Sequence, residues 1–162
     1  MLPVEIHPLL PADTDRALAM VRAASPETWY TDALLEVIRA AATAPGIEAS
    51  GLVAKHGGCM AGVAVYGEYA GATGAGRLHL VAVDTQSRSL GVGAALVARA
   101  VEDLIARGAR FVIAEIPDDE TALDGYRSLL AACSFSEEAR VPDLYRDGVA
   151  LSFMRRDLGA AS

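Results

Sequence analysis

Lysine is nearly missing from this sequence: Lys55 stands alone beside 13 arginines, and 14 basic residues face 21 acidic ones for a net charge of −7. Proteins that live on nucleic-acid phosphates show a basic face, so this balance argues against nucleic acid and against anionic membranes as partners. It leaves room for a local anion site, because backbone N–H groups bind phosphate without lysine. Cysteine is scarce too. Cys59 and Cys133 have no metal-ligand spacing, and no metal is expected. Aromatics are only 6% of the chain. No run reaches the roughly 18 apolar residues that a membrane span needs. Met1-Leu2-Pro3-Val4-Glu5-Ile6-His7 has neither a basic start nor an apolar run, so no leader is expected. The expected compartment is the cytoplasm, with both thiols reduced.

What is present is an ordinary globular mixture. Residues 1–162 make about one domain at roughly 150 residues per domain. Apolar residues are 52% and charged residues 22%, which excludes a disordered chain. Val4-Glu5-Ile6 reads as a short strand. Pro11 opens a helix to about Ala24, with Ala17, Leu18 and Val21 on one face. A second helix is expected over 26–43, with Trp29, Ala33, Val37 and Ala40 as its apolar set, stopped by Pro45-Gly46. The period then changes. Gly51 to His56 and Cys59 to Tyr69 are strand-like, and Gly57-Gly58 between them signals a tight hairpin. Residues 70–76 read as a flexible loop and 77–83 as a strand. Gly91 to Arg107 is an amphipathic helix on Val92, Leu96, Ala100 and Leu104, with Val97, Val101 and Ile105 beside them. Arg110 to Ile116 is a nearly continuous apolar strand, expected to be central and parallel to the one before. A helix over 120–134 and strands over 137–141 and 148–154, linked by 142–147, complete an α/β chain of order β-α-α-β-β-β-α-β-α-β-β.

The chemistry concentrates in Val81-Ala82-Val83-Asp84-Thr85-Gln86-Ser87-Arg88-Ser89-Leu90-Gly91-Val92-Gly93-Ala94, where a strand runs through a polar loop into glycines that open a helix. First-turn N–H groups have no internal partners, and the helix dipole favours an anion there. With no side chains, Gly91 and Gly93 would let phosphate oxygens approach the backbone. The nucleotide P-loop is excluded, since no lysine follows Gly93. A dinucleotide fingerprint starts well at Gly91-Val92-Gly93. It then fails at Leu96 and stands seven residues from its strand, although Glu115 lies where a ribose ligand could.

Arg88-Ser89-Leu90-Gly91-Val92-Gly93 resembles Arg/Gln-x-x-Gly-x-Gly/Ala, the acetyl-CoA motif of the GNAT family of N-acetyltransferases. Val81-Ala82-Val83-Asp84 resembles the strand before that motif, and the element order is similar over nearly the whole chain. The resemblance implies a central mixed sheet flanked by helices, with a V-shaped splay between the strands at 77–83 and 110–116. It implies that backbone groups across Arg88, Ser89, Leu90, Gly91, Val92, Gly93 and Ala94 hold the CoA pyrophosphate. Val81, Ala82 and Val83 would pair with the pantetheine arm, with the acyl carbonyl near the N–H of Val81 or Ala82. Acetyl-CoA would be the cosubstrate, attacked directly by a primary amine of a small molecule or a protein. A homodimer is compatible with it.

The family's thiolate acid is often a tyrosine four residues before Gly-Phe. Here Ser134-Phe135 stands in that place, and four before Ser134 is Leu130. Tyr126, one turn further back, is either a CoA contact or a packed helix tyrosine. Three residues are candidates for proton transfer. Glu115 stands near the end of the central strand, where such sheets bind ligands. Tyr145 lies near the same end of the sheet. His79 alternates with Val81 and Val83, which puts all three on one face. Each also has a plain packing or pairing alternative, and ordered water needs no residue. Glu68 is a further option. Trp29 either covers the acceptor or packs in the core. Asp118 and Asp119 read as helix N-terminal charges, and Cys133 as a buried helix residue. The main expectation is thus an N-acetyltransferase. A non-catalytic CoA-binding sensor and a dinucleotide-binding protein are the alternatives.

Overall fold

The computed structural model describes residues 2–24, 30–118 and 124–159. Trp29, Asp119, the 26–29 start of the second helix and the 120–123 start of the last one lie outside the described residues. Within them a seven-stranded sheet runs in the order β1-β2-β3-β4-β5-β7-β6. Its strands are β1 (Val4–Pro8), β2 (Ser50–His56), β3 (Cys59–Glu68), β4 (Ala75–Val83), β5 (Phe111–Pro117), β6 (Ser136–Arg146) and β7 (Val149–Asp157). The helices are α1 (Thr14–Ala24), α2 (Thr31–Thr43), α3 (Val92–Ala106) and α4 (Asp124–Ala132). The element order expected from sequence is the one found, and the β4–β5 pair is the parallel one.

Two apolar clusters sandwich the sheet. One holds Leu96, Val97, Ala100, Val101 and Leu104 of α3 with Leu130 of α4 and Val112, Ala114 and Ile116 of β5. The other holds Ala17, Leu18 and Val21 of α1 and Leu35, Ile38, Ala41 and Ala42 of α2 against Val53, Val63 and Leu80. Burying a side chain of this size gives about 1.5–3 kcal/mol of gross stabilisation, so both layers help clamp the central strands.

The structure shifts several boundaries. β4 begins at Ala75, inside the expected loop, because Gly76 lies against Leu104, whose Cδ1 would stand 2.8 Å from an added Cβ. β6 continues through Pro142 to Arg146, with a register shift between Val141 and Arg146, where a link was expected. It is the edge strand, so proline breaks no ladder there. α2 turns its inner face by about one residue: Leu35, Ile38, Ala41 and Ala42 are buried, while Ala33 and Ala40 are exposed. Alanine-rich helices offer nearly equal faces, and packing decides between them. Ile105 is 52% exposed, outside the buried stripe of α3.

The ends of α3 and α4 share one hydrogen-bond pattern. After α3, Gly108 N–H donates to Ile105 O and Ala109 N–H to Leu104 O, with Gly108 at φ 87°. After α4, Ser134 N–H donates to Ala131 O and Phe135 N–H to Leu130 O, with Ser134 at φ 71°. The second end places serine where backbone sterics favour glycine.

Candidate active site

β4 and β5 pair over Ala75↔Phe111, Gly76↔Val112 and Arg77↔Ile113, and then part. β4 stays paired with β3 as far as Val83↔Gly62. From Leu78 onward its other edge therefore faces a gap, with N–H and C=O groups that no strand satisfies. The side chains along this stretch cannot fill the gap. Leu80 and Ala82 pack toward α1 and α2, and Val81 and Val83 toward α3 and α4. A cleft of about 670 Å³ occupies the fork. Val81, Ala82 and Val83 line it, together with Arg88, Ser89, Gly91, Val92, Gly93, Ala94, Glu115, Tyr126 and His79. The structure thus brings together nearly every residue singled out from the sequence. Leu90, 37% exposed, and Tyr145 are not among the residues lining the cleft.

The turn at one end is fixed by its own hydrogen bonds. Asp84 N–H donates to Ala61 O at 2.9 Å, and the Asp84 carboxylate accepts from Gln86 N at 3.3 Å and from Arg16 at 3.1 Å. A 3-10 turn, Thr85–Ser87, follows. Ser89 and Gly91 both take positive φ, 78° and 75°, before α3 begins at Val92. The first-turn N–H groups of α3 then stand at the cleft wall with the positive end of the helix dipole behind them. The two glycines have different tasks. Gly91 supplies a left-handed backbone in open space. Gly93 is needed for packing, since a Cβ there would meet Leu129 Cδ2 at 2.9 Å and Val83 Cγ2 at 3.4 Å. The sequence reading gave Gly93 the task of admitting phosphate, and the crowding by Leu129 adds the stricter reason for a glycine.

Glu115 and His79 line the other part of the cleft, and Tyr69 and Arg77, which do not line it, hold Glu115. The Glu115 carboxylate accepts from Tyr69 O–H at 2.5 Å on Oε1 and pairs with Arg77 at 3.3 Å on Oε2. Tyr145 is near enough that the Glu115 charge adds to burial in raising its phenol pKa. The Tyr69 phenol is also raised, first by its hydrogen bond to Glu115. Sequence reading missed Tyr69 and Arg77. Nothing in the strand-like run that ends at Tyr69 marks its side chain as reaching a strand two positions away in the sheet.

His79 corrects an expectation. Tyr66 pairs with Leu78 and Val65 with Leu80, so His79 is the extra residue of a β-bulge. Its Nε2–H donates to Glu48 O at 2.9 Å, in the connection from α2 to β2. The ring therefore lies on the α1/α2 side with Leu80, opposite Val81 and Val83. The bulge resets the alternation on which the expectation of a shared face rested. Burial lowers the His79 pKa from its ordinary value.

Leu130, in the position of the family's tyrosine, is fully buried in the core. Tyr126 lines the cleft with its hydroxyl buried and without a hydrogen-bond partner, and burial pushes its pKa up. Asp118 is bridged by Arg127 at 3.3 Å and by Arg140, whose contact lowers its pKa. Arginines of α4 and β6, more than a helix terminus, thus account for this charge. Cys133, expected as a buried helix residue, lies just past the end of α4 and is half-buried, with its pKa raised by burial. Glu68 does not line the cleft. Among the described residues no cluster of His, Cys, Asp or Glu could hold a metal ion, and no helix is long and apolar enough to cross a membrane.

Comparison with known proteins gives the same picture. The profile of the acetyltransferase (GNAT) family matches residues 15–129. No curated protein matches the sequence. Among solved structures, a Desulfovibrio desulfuricans protein assigned to the GNAT acetyltransferases superposes with a TM-score of 0.86 at 24% identity, over 97% of this chain and 100% of that one. The ribosomal-protein-S18-alanine N-acetyltransferase of Escherichia coli does so with 0.75 at 18%, over 99% and 97%. A Salmonella typhimurium protein assigned as an acetyltransferase and solved with its cofactor acetyl-CoA gives 0.74 at 19%, over 98% and 96%.

Proposed function

The chain belongs to the acetyltransferase (GNAT) family, and on that premise we propose that it moves an acetyl group from acetyl-CoA to a primary amine, of a small molecule or a protein, by direct attack. The observation that carries this is the parting of β4 from β5 after Arg77, with a helix-opening anion turn and the Glu115 and His79 side chains in one cleft. The solved neighbour with acetyl-CoA supports the choice of cosubstrate.

Backbone N–H groups across 88–94 hold the pyrophosphate. The free edge of Leu80, Val81, Ala82 and Val83 pairs with the pantetheine amides as an added strand would. An N–H of Val81 or Ala82 polarises the thioester carbonyl, a preorganised donor at the oxygen where charge develops. The acceptor enters from the side of Tyr69, Arg77, His79, Glu115 and Tyr145. The amine nitrogen bonds to the acyl carbon, the C–S bond breaks, and sulfur leaves as thiolate. Tyr126, its O–H retained by burial, is a phenol at the cleft wall that can return a proton to the sulfur, and it stands one turn before the buried Leu130. An acidic chain favours a cationic acceptor through long-range steering.

Thermal shift with acetyl-CoA, CoA, NAD and ATP tests the reading. A ligand at 100 times its Kd adds about 2.7 kcal/mol, which raises Tm by roughly 5–10 °C for a domain of this size. Acetyl-CoA and CoA are expected to give that rise, and NAD and ATP none. Release of CoASH in the presence of primary amines then separates an acetyltransferase from a CoA-binding sensor, which would bind without turnover.

A further inference from the structure

We propose that His79, and not Glu115, takes the proton from the acceptor amine, with Glu115 as a positioning charge beside it. This rests on the acetyltransferase reading above. Two contacts carry it. A backbone carbonyl only accepts, so the 2.9 Å contact from His79 Nε2 to Glu48 O fixes the proton on Nε2. The neutral ring then keeps its lone pair on Nδ1. That ring lines the cleft, placed there by the β-bulge that makes His79 the unpaired residue of β4. Glu115 is differently held. One carboxylate oxygen receives the Tyr69 hydroxyl at 2.5 Å and the other the Arg77 guanidinium at 3.3 Å. Both of its carboxylate oxygens are thus already engaged by donors of the protein, whereas Nδ1 of His79 is left for the amine.

The charged groups around His79 are Arg77 on its own strand, Glu115 across the fork on β5, and Glu48 before β2. Burial and Arg77 favour the neutral ring, while Glu115 and Glu48 favour the imidazolium. Glu115 therefore stabilises the imidazolium formed when the ring takes a proton. The step balances. An ammonium acceptor gives one proton to Nδ1, and the neutral nitrogen attacks the acyl carbon. As the C–S bond breaks, the second nitrogen proton ends on the thiolate as CoASH. The imidazolium returns its proton to water.

Two experiments test this. Nitrogen-15 NMR of the imidazoles, with the His79 signals assigned by their loss in H79Q, reads the tautomer directly. A protonated Nε2 and bare Nδ1 are expected at pH 8. CoASH release is then followed from pH 5 to 9 with spermidine, phenethylamine and an alanine-starting hexapeptide as probes. H79Q is expected to lower kcat/KM about 100-fold and to remove its low-pH limb, while acetyl-CoA still raises Tm as in wild type. E115Q is expected to keep that limb and move it to lower pH, because the charge favouring the imidazolium is gone. A ring protonated at Nδ1 would overturn the assignment, as would a limb that survives in H79Q and vanishes in E115Q. Acetyl-CoA binding with no CoASH release from any probe sinks the acetyltransferase reading itself, and His79's task with it.

Discussion

At one end of the cleft the working atoms belong to the backbone. β4 from Leu80 to Val83 and the first turn of α3 offer N–H groups, and the side chains there pack away into two apolar layers. At the other end they belong to side chains. His79 and Glu115 line it from β4 and β5, and Tyr69 after β3 and Arg77 on β4, outside the lining, hold Glu115 through a hydrogen bond and charge. A backbone site needs particular dihedral angles and clearances, which few residues supply, so it leaves a local signature such as Gly91-Val92-Gly93. A side-chain cluster needs only groups that the sheet brings together, and those lie up to 46 positions apart, as Tyr69 and Glu115 do.

The largest effect that separates the two ends comes from neighbours on β5. Ile116 is 1% exposed and sits in the α3/α4 layer. Ile116→Ala is expected to cost about 2–5 kcal/mol. Glu115→Gln keeps an acceptor for Tyr69 and loses the Arg77 pair, at about 1 kcal/mol. Urea midpoints measure both, and equal losses would mean that the two faces of β5 do not divide as described. Gly93→Val comes next. Its side chain has to displace Leu129 and Val83, an overpacking cost of about 1–3 kcal/mol. It should also abolish the Tm rise with acetyl-CoA, because the first turn of α3 is what moves. A variant that stays as stable as wild type would show that Leu129 yields easily.

This contrast explains what could be read from the chain. The element order, the amphipathic α3 and the turn around Arg88 were legible, because each rests on periodicity or on residues close in sequence. The sense of His79 was not, since a bulge opposite Val65 and Tyr66 leaves no mark in an apolar strand. Nor was the inner face of α2, where six alanines and threonines carry little directional information. The loop read at 70–76 became partly strand because Gly76 meets Leu104, a contact 28 positions away.

A smaller effect, of opposite sign at two places, compares the ends of α3 and α4. Serine in the left-handed region costs roughly 1 kcal/mol relative to glycine. Ser134→Gly should therefore stabilise by about that amount, and Gly108→Ser should destabilise by as much, both at unchanged acetyl-CoA affinity. Matched shifts in urea midpoint would show that the serine stands where the family carries glycine at a cost to stability alone. A Ser134→Gly change that altered kcat/KM would give α4 a say in turnover.

The gentlest effect is a slope. His79 in the folded chain has its pKa lowered below the ordinary value of about 6.5, chiefly by burial. Between the folded and unfolded values the unfolded chain binds more protons, so stability rises with pH there. The contribution is fully present above the unfolded value and fades as pH falls through the folded one. Unfolding free energies of wild type and H79Q, compared between pH 8 and pH 5, should therefore converge as pH falls, apart from an offset that does not vary with pH. Arg77, by favouring the neutral ring, adds to the slope, and Arg77→Met should flatten it. A wild-type curve that ran parallel to that of H79Q would mean that the ring titrates alike in both states. The side-chain end of the cleft would then be open to water, and its contrast with the packed backbone end would reduce to geometry.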